Sequence, residues 1–267
     1  MLQISNAISN TSLKSALVPF ITAGYPSLDI TSKILNLLDS QGVHAIELGI
    51  PYSDALADGV VIQESSSVAL SQKTYVDDIF MLLKKVSMTI KAPIIIFTYL
   101  NPILSKGIDV FVKELSESGA KGLVIPDLPL EESDYFIDIC KYYEIELILF
   151  ISPASKEKRI KETLLKAPGC IYLVSSYGVT GIRDNINSNI SNIINIIKKN
   201  SNKRIMLGFG ISNEKNVKDI LSLQLNIDAI VVGSAFINQI TYSYKHNNYS
   251  NINEFCNSIQ NAMLIDS

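Results

Sequence analysis

The stretch ALVPFITAGYPSLDITSKILNLLDSQGVHAIELGI, residues 16–50, decides the fold. It opens with an apolar run, ALVPFITA from Ala16. It then passes through SLDITSKILNLLDSQG, where apolar residues recur at helical spacing, and re-enters an apolar run, AIELGI, at Ala45. Strand, helix and strand in that order are the cadence of a parallel sheet. The cadence continues with PIIIFTY from Pro93, GLVIPD from Gly122, ELILFIS from Glu146, CIYLVS from Cys170, RIMLGFG from Arg204 and AIVVGS from Ala229, eight runs in all. Most begin about 25 to 35 residues apart, with helix-period segments such as EESDYFIDICKYYE between them. Strands that read as continuous apolar runs need helices over their outer face. Eight βα units at this length predict a closed (β/α)8 barrel, one domain over residues 1–267 with an N-terminal helix. A doubly wound open sheet is the alternative.

One gap is longer than the rest. Residues 51–92 separate the second run from the third, and the excess falls on PYSDALADG and VIQESSSVALSQ. An extra loop and a short extra helix are expected there, on the face where loops after strand C-termini build active sites.

Composition narrows the function classes. With 47% hydrophobic and 18% charged residues the chain has ample material for a core, and a net charge of -3 offers no attraction to nucleic acid or an anionic membrane. The N-terminus, MLQISNAISNTSLKSALVPF, lacks the pattern of a secretory leader or a transit peptide. No apolar run approaches the ~20 residues of a membrane span, so a soluble protein acting where it is made is expected. Cys140, Cys170 and Cys256 have no metal-ligand spacing and read as reduced thiols. His44 and His246, the only histidines, lie off the face of interest and read as solvated, which weighs against serine triads and His-ligated metals.

The carboxylates on the functional face need an explanation. In AIELGI, Ala45, Glu47 and Gly49 share one side of the strand while Ile46, Leu48 and Ile50 share the other. The bulky side must meet the helices, so Glu47 points into the barrel. There, desolvation would raise its pKa and suit it to general acid/base work; the alternative is a Glu paired with a Lys or Arg of a neighbouring strand. Asp58, in ALADGV, comes opposite Glu47 if the loop folds back over the mouth; a turn residue before Gly59 is the alternative. Asp54 follows Ser53 in a proline-containing turn and reads as a turn or cap residue.

Strands seven and eight end in LGFGISNEKNV and VVGSAFINQ. Gly208, Gly210 and Gly233 allow a ligand close to the backbone, and Ser212 or Asn213 suits the N-cap of the following helix. Helix N-termini bind phosphate without cationic side chains, and barrels of this kind often hold one at these two loops. Glycines that only ease the turns are the alternative. After strand six, SSYGVTGIRDN places Gly178 and Gly181 around Val179 and Thr180, the composition of a lid or of an ordinary flexible loop.

Taken together, IELGIPYSDALADG, ALVPFITAGYP, VIPDLPLEES, YGVTG, LGFGIS and VVGSA resemble, in order and over nearly the whole chain, the tryptophan synthase alpha subunit family. The resemblance implies a lyase that cleaves indole-3-glycerol phosphate to indole and glyceraldehyde 3-phosphate without metal, flavin or pyridoxal phosphate. It implies Glu47 as general acid/base and Asp58 as the carboxylate meeting the indole N–H. Gly181, Gly210, Gly233 and Ser234 match the phosphate contacts, and Phe20, Ile62, Tyr99 and Tyr172 the indole pocket. Thr180 matches a lid residue, and Asp54 a contact to the beta subunit of an αββα heterotetramer. The family's setting implies the cytoplasm, or the stroma of a plastid that encodes the chain. Ala55 and Val60 stand where the family usually has proline, and Ser176 where some members have Arg. A free-standing lyase that releases indole, an inactive regulatory partner and a sugar-phosphate epimerase or isomerase barrel are the competing readings.

Overall fold

The computed structural model describes residues 2–174, 183–208 and 210–264. Its strands are β1 (Ala16–Thr22), β2 (Ile46–Gly49), β3 (Ile94–Phe97), β4 (Gly122–Val124), β5 (Glu146–Ile151), β6 (Ile171–Val174), β7 (Ile205–Gly208) and β8 (Ala229–Val232). The helices are α1 (Gln3–Ser9), α2 (Leu28–Ser40), α3 (Val60–Ser71), α4 (Val76–Val86), α5 (Leu100–Lys106), α6 (Ile108–Glu117), α7 (Ser133–Tyr142), α8 (Glu157–Lys166), α9 (Arg183–Asn200), α10 (Glu214–Ser222), α11 (Ser234–His246) and α12 (Ser250–Ala262). Every strand lies parallel to both neighbours, and β8 closes on β1 with Leu17 opposite Ile230. The barrel is therefore closed, and the open sheet is excluded.

The βα unit read from residues 16–50 folds as its pattern demands. Ser27 caps α2 by accepting from the Ile30 N–H at 3.2 Å, and Ile34, Leu35 and Leu38 form its buried face. Strand alternation separates two cores. Leu17, Ile21, Ile46, Leu48, Ile94 and Ile96 face the helices, while Val18, Phe20, Ala45, Ile95, Phe97 and Val124 fill the interior. The long gap after β2 holds an extended loop and α3, the extra helix expected there.

The far end of the barrel is sealed by α1, whose Ile4 and Ile8 pack into the interior core. Its first turn is held by a buried carboxylate on β5. Glu146 accepts from the Ile4 and Ser5 N–H groups (2.9 and 3.0 Å), from the Cys170 N–H (3.1 Å) and from the Ser5 hydroxyl. A Cβ at Gly169 would sit 2.2 Å from this carboxylate, so only glycine fits beside it.

His44 departs from the solvated reading. It is half-buried, its Nδ1 accepts from the Leu17 N–H at 3.2 Å, and burial lowers its pKa. The ring thus serves as an acceptor at the start of the β1–β2 ladder. Cys140, Cys170 and Cys256 are buried free thiols, and no group of His, Cys, Asp or Glu among the described residues has the geometry of a metal site. No helix among the described residues is long and apolar enough to cross a membrane.

Candidate active site

At the C-terminal mouth of the barrel lies a cavity of about 380 Å³. Phe20, Glu47, Phe97, Tyr172 and Val231 reach it from the strands. Asp58, Gly59 and Ile62 come from the long β2 loop and the start of α3, and Gly210, Ile211, Ser212, Gly233 and Ser234 from the loops after β7 and β8. Residues far apart in sequence, Glu47 and Asp58 with Gly210, Gly233 and Ser234, converge on one space.

Glu47 is fully buried, at 0% exposure, and its carboxylate meets no backbone N–H; the Tyr172 hydroxyl is its polar neighbour. No Lys or Arg among the described residues pairs with it, so the structural ion-pair reading fails. Burial, reinforced by the negative charge of Asp58, pushes its pKa up to about 8; the neighbouring Tyr172 hydroxyl restrains the rise. Asp58 is half-buried, and desolvation lifts it to about 6 while the Tyr99 hydroxyl holds it back. Two carboxyls of one cavity are thus driven to different values, near-neutral for one and mildly acidic for the other, the arrangement from which acid/base roles are assigned.

Close packing explains the glycines on the strands. Tyr172 stacks on Phe150 at a centroid distance of 4.6 Å, and a Cβ at Gly208 would lie 2.2 Å from its hydroxyl. Gly208 therefore clears space for Tyr172, where the sequence reading assigned it to ligand approach. Gly49 does the same for Phe20, whose ring lies 2.6 Å from where its Cβ would be. Phe20 in turn meets Phe97 edge-on at 5.6 Å, giving the cavity a flat apolar wall.

Two helix N-termini approach the site, and they differ. At α10 the side chains cap the backbone themselves: Asn213 is the N-cap, accepting from the Asn216 N–H at 3.0 Å, and the Asn216 Oδ1 accepts from the Ser212 N–H at 3.2 Å. At α11 the N-cap is Gly233, which has no side chain, and the first turn carries no acidic residue. Gly233 and Ser234 both line the cavity, so the N-terminal end of α11, with its free N–H groups and positive dipole end, borders it. Gly210 turns the backbone between β7 and α10 with φ +77°, a conformation that favours glycine.

Other expected site residues lie elsewhere. The Tyr99 hydroxyl accepts from the Ala57 N–H at 2.9 Å and touches Asp58, so it sits behind the Asp58 loop and outside the cavity lining. Asp54 is exposed on the outer side of that loop, beside the Ser53 hydroxyl at 3.3 Å. Thr180 and Gly181, with Ser176 and Gly178, lie outside the described residues. Phe97, Gly59, Ile211 and Val231 line the cavity without a signal read for them above, and Ser212, read as a candidate cap, lines it too. For Phe97 the signal was available, because the alternation that turns Glu47 inward on β2 turns Ile95 and Phe97 inward on β3.

A closed parallel barrel with two perturbed carboxyls and an uncapped helix N-terminus at its mouth defines the class, a (β/α)8 barrel equipped for acid–base chemistry. Within that class the chain belongs to the family of the tryptophan synthase alpha chain, whose family model matches residues 7–264. The tryptophan synthase alpha chain of Gracilaria tenuistipitata var. liui is 51% identical over 257 residues, covering 96% of this chain and 95% of the relative. That of Antithamnion sp. is also 51% identical, covering 98% and 99%. Among solved structures, tryptophan synthase subunit alpha from Legionella pneumophila str. Paris superimposes with a TM-score of 0.87 at 28% identity, covering 98% of each chain.

Proposed function

We propose that Glu47 and Asp58 are the proton-handling pair with which this chain carries out the reaction of its family, the cleavage of indole-3-glycerol phosphate to indole and glyceraldehyde 3-phosphate. The observation that carries the assignment is the fully buried Glu47, with no cationic partner among the described residues, beside Asp58 in one cavity. A carboxyl raised to about 8 holds a proton at neutral pH and gives it to C3 of the indole ring. The protonated ring is iminium-like, and ionised Asp58 stabilises the positive charge at its N–H. The Glu47 carboxylate then takes the proton of the side-chain hydroxyl adjacent to the bond that breaks. The bonding electrons return to the ring, the aldehyde leaves as glyceraldehyde 3-phosphate, and Glu47 is again protonated.

Phe20, Ile62 and Tyr172 are proposed to hold the indole, with Tyr99 acting on it through Asp58. Gly210, Gly233, Ser234 and, from the resemblance, Gly181 are proposed to hold the phosphate, and Thr180 to serve the lid. The family works with a beta subunit. Asp54 and Leu56, the latter 92% exposed on the same loop, are proposed to meet it in the αββα assembly. The cytoplasm or a plastid stroma is the proposed location, in keeping with relatives from Gracilaria tenuistipitata var. liui and Acaryochloris marina.

The direct test follows indole release from indole-3-glycerol phosphate by the purified chain, with and without a matching beta subunit. The chain has no Trp, so indole fluorescence is not masked. Cleavage that the beta subunit accelerates is expected; a rate indifferent to it would favour a free-standing lyase, and no cleavage in either condition would refute the lyase reading. The expected kcat/KM profile is a bell. It rises as Asp58 ionises through about 6 and falls as Glu47 loses its proton through about 8. A flat profile across that window would contradict the paired roles.

The phosphate assignment has its own test. A Cβ at Gly233 would point toward Phe20 and Ile62 at 3.5 and 3.6 Å, so a methyl is tolerated but a branched side chain fills the cavity. Gly233→Val is expected to raise KM roughly tenfold or more, at least about 1.4 kcal/mol of binding, and to abolish competition by inorganic phosphate. Unchanged phosphate competition would show the site misassigned.

A further inference from the structure

The turn that carries Asp58 is held by a residue outside the cavity. Residues 55–58 close on themselves through the Asp58 N–H, which donates to the Ala55 carbonyl at 3.1 Å. From the first turn of α3, the Gln63 side-chain amide donates to two carbonyls of this turn, Ala55 O at 3.1 Å and Asp58 O at 2.9 Å. Gln63 is itself fixed, because its backbone N–H donates to Gly59 O at 3.0 Å. The Tyr99 hydroxyl takes the Ala57 N–H from the opposite side.

We propose that Gln63 is a positioning residue for Asp58, its amide clamping both ends of the turn so that the carboxylate faces the cavity before substrate arrives. The inference rests on the proposed role of Asp58. A primary amide suits the task because one nitrogen offers two protons and no charge. A carboxylate at this position would face two carbonyl oxygens and add negative charge beside Asp58. A thioether of similar length would fill the space with no donor. Such pre-organisation matters because a small misplacement of a catalytic group is costly in rate.

The test compares Gln63→Met and Gln63→Glu with wild type and with Asp58→Asn, in complex with the beta subunit. Gln63→Met is expected to lower kcat/KM for indole-3-glycerol phosphate roughly ten- to hundredfold, while competition by inorganic phosphate stays within about twofold of wild type. Gln63→Glu is expected to move the acidic limb of the kcat/KM profile to higher pH, since its charge opposes ionisation of Asp58. The groups already facing Asp58 are Glu47 from β2, Tyr99 from the end of β3 and Tyr172 from β6, and none of them changes in these variants. Combining Gln63→Met with Asp58→Asn is expected to cost no more than Asp58→Asn alone. A kcat/KM for Gln63→Met within about twofold of wild type, equal loss of phosphate competition, or an additive double mutant would overturn the proposal. If Asp58→Asn itself leaves turnover intact, the role of Asp58 fails first, and the two failures are distinguished.

Discussion

Replacing Glu47 by Gln is expected to reduce kcat about a thousandfold or more while leaving KM within a few-fold of wild type. The amide preserves shape but neither delivers a proton to the ring nor accepts one from the hydroxyl. Steady-state kinetics on purified protein check this, and substantial residual turnover would refute Glu47 as the proton shuttle. The same substitution has a thermodynamic signature. Wild-type Glu47 has its folded-state pKa raised to about 8 from 4.5, so the folded state binds more protons than the unfolded state between those values. Its contribution to stability is fully present below pH 4.5 and is lost as pH rises through about 8. The amide of the Glu47→Gln variant does not titrate. The stability of the variant relative to wild type should therefore increase across this range, by several kcal/mol in all at about 1.4 per pH unit. Burial of an unpartnered amide also costs, but that cost does not vary with pH. Urea unfolding at about pH 5 and about pH 8.5 measures the difference, and a constant offset between the two would count against a raised pKa.

Replacing Glu146 by Gln is expected to destabilise the fold by about 3 kcal/mol, because buried donors lose a charged acceptor. The Ile4, Ser5 and Cys170 N–H groups and the Ser5 hydroxyl all converge on this carboxylate, and an amide offers one acceptor oxygen and turns donors of its own toward the rest. Urea titration gives the magnitude. Hydrogen exchange over residues 3–9 should show α1 loosening first, since the lost contacts tie its opening turn to β5. Activity per folded molecule should change little, because Glu146 lies at the opposite end of the barrel from Glu47 and Asp58. Stability within about 0.5 kcal/mol of wild type would contradict the anchoring role.

Much of the architecture is legible along the chain because it depends on local patterning. Each of the eight apolar runs folds as a strand, and the helix-period segment between Ser27 and Ser40 folds as α2. The inward turn of Glu47 follows from strand alternation alone. Contacts between distant segments are less legible. Gly208 looks like a ligand glycine in LGFGIS, but Tyr172, from a different strand, occupies the space above it. Tyr99 reads as a pocket wall, yet its hydroxyl is engaged by the Ala57 N–H of the loop after the neighbouring strand β2. His44 reads as solvated because its acceptor role requires β1 beside it. Asn213 reads as a candidate N-cap beside Ser212 and is the N-cap of α10, but only the folded geometry shows the Asn216 side chain closing on Ser212 while α11 stays open.

The chain contains the triplet Ile-Glu-Leu twice, at 46–48 and at 145–147. By itself the sequence determined that each glutamate sits in a strand, flanked by apolar residues that face the helices, and so turns inward. Only the tertiary structure decided their fates. Glu146 opens β5 at the sealed end, where α1 and the start of β6 bring it four donors; Glu47 stands in β2 beneath the open mouth, where no backbone N–H reaches it. Partner donors come from segments that only the closed barrel brings together. The same triplet therefore yields a structural anchor at one end and, at the other, a carboxyl whose proton is held by burial.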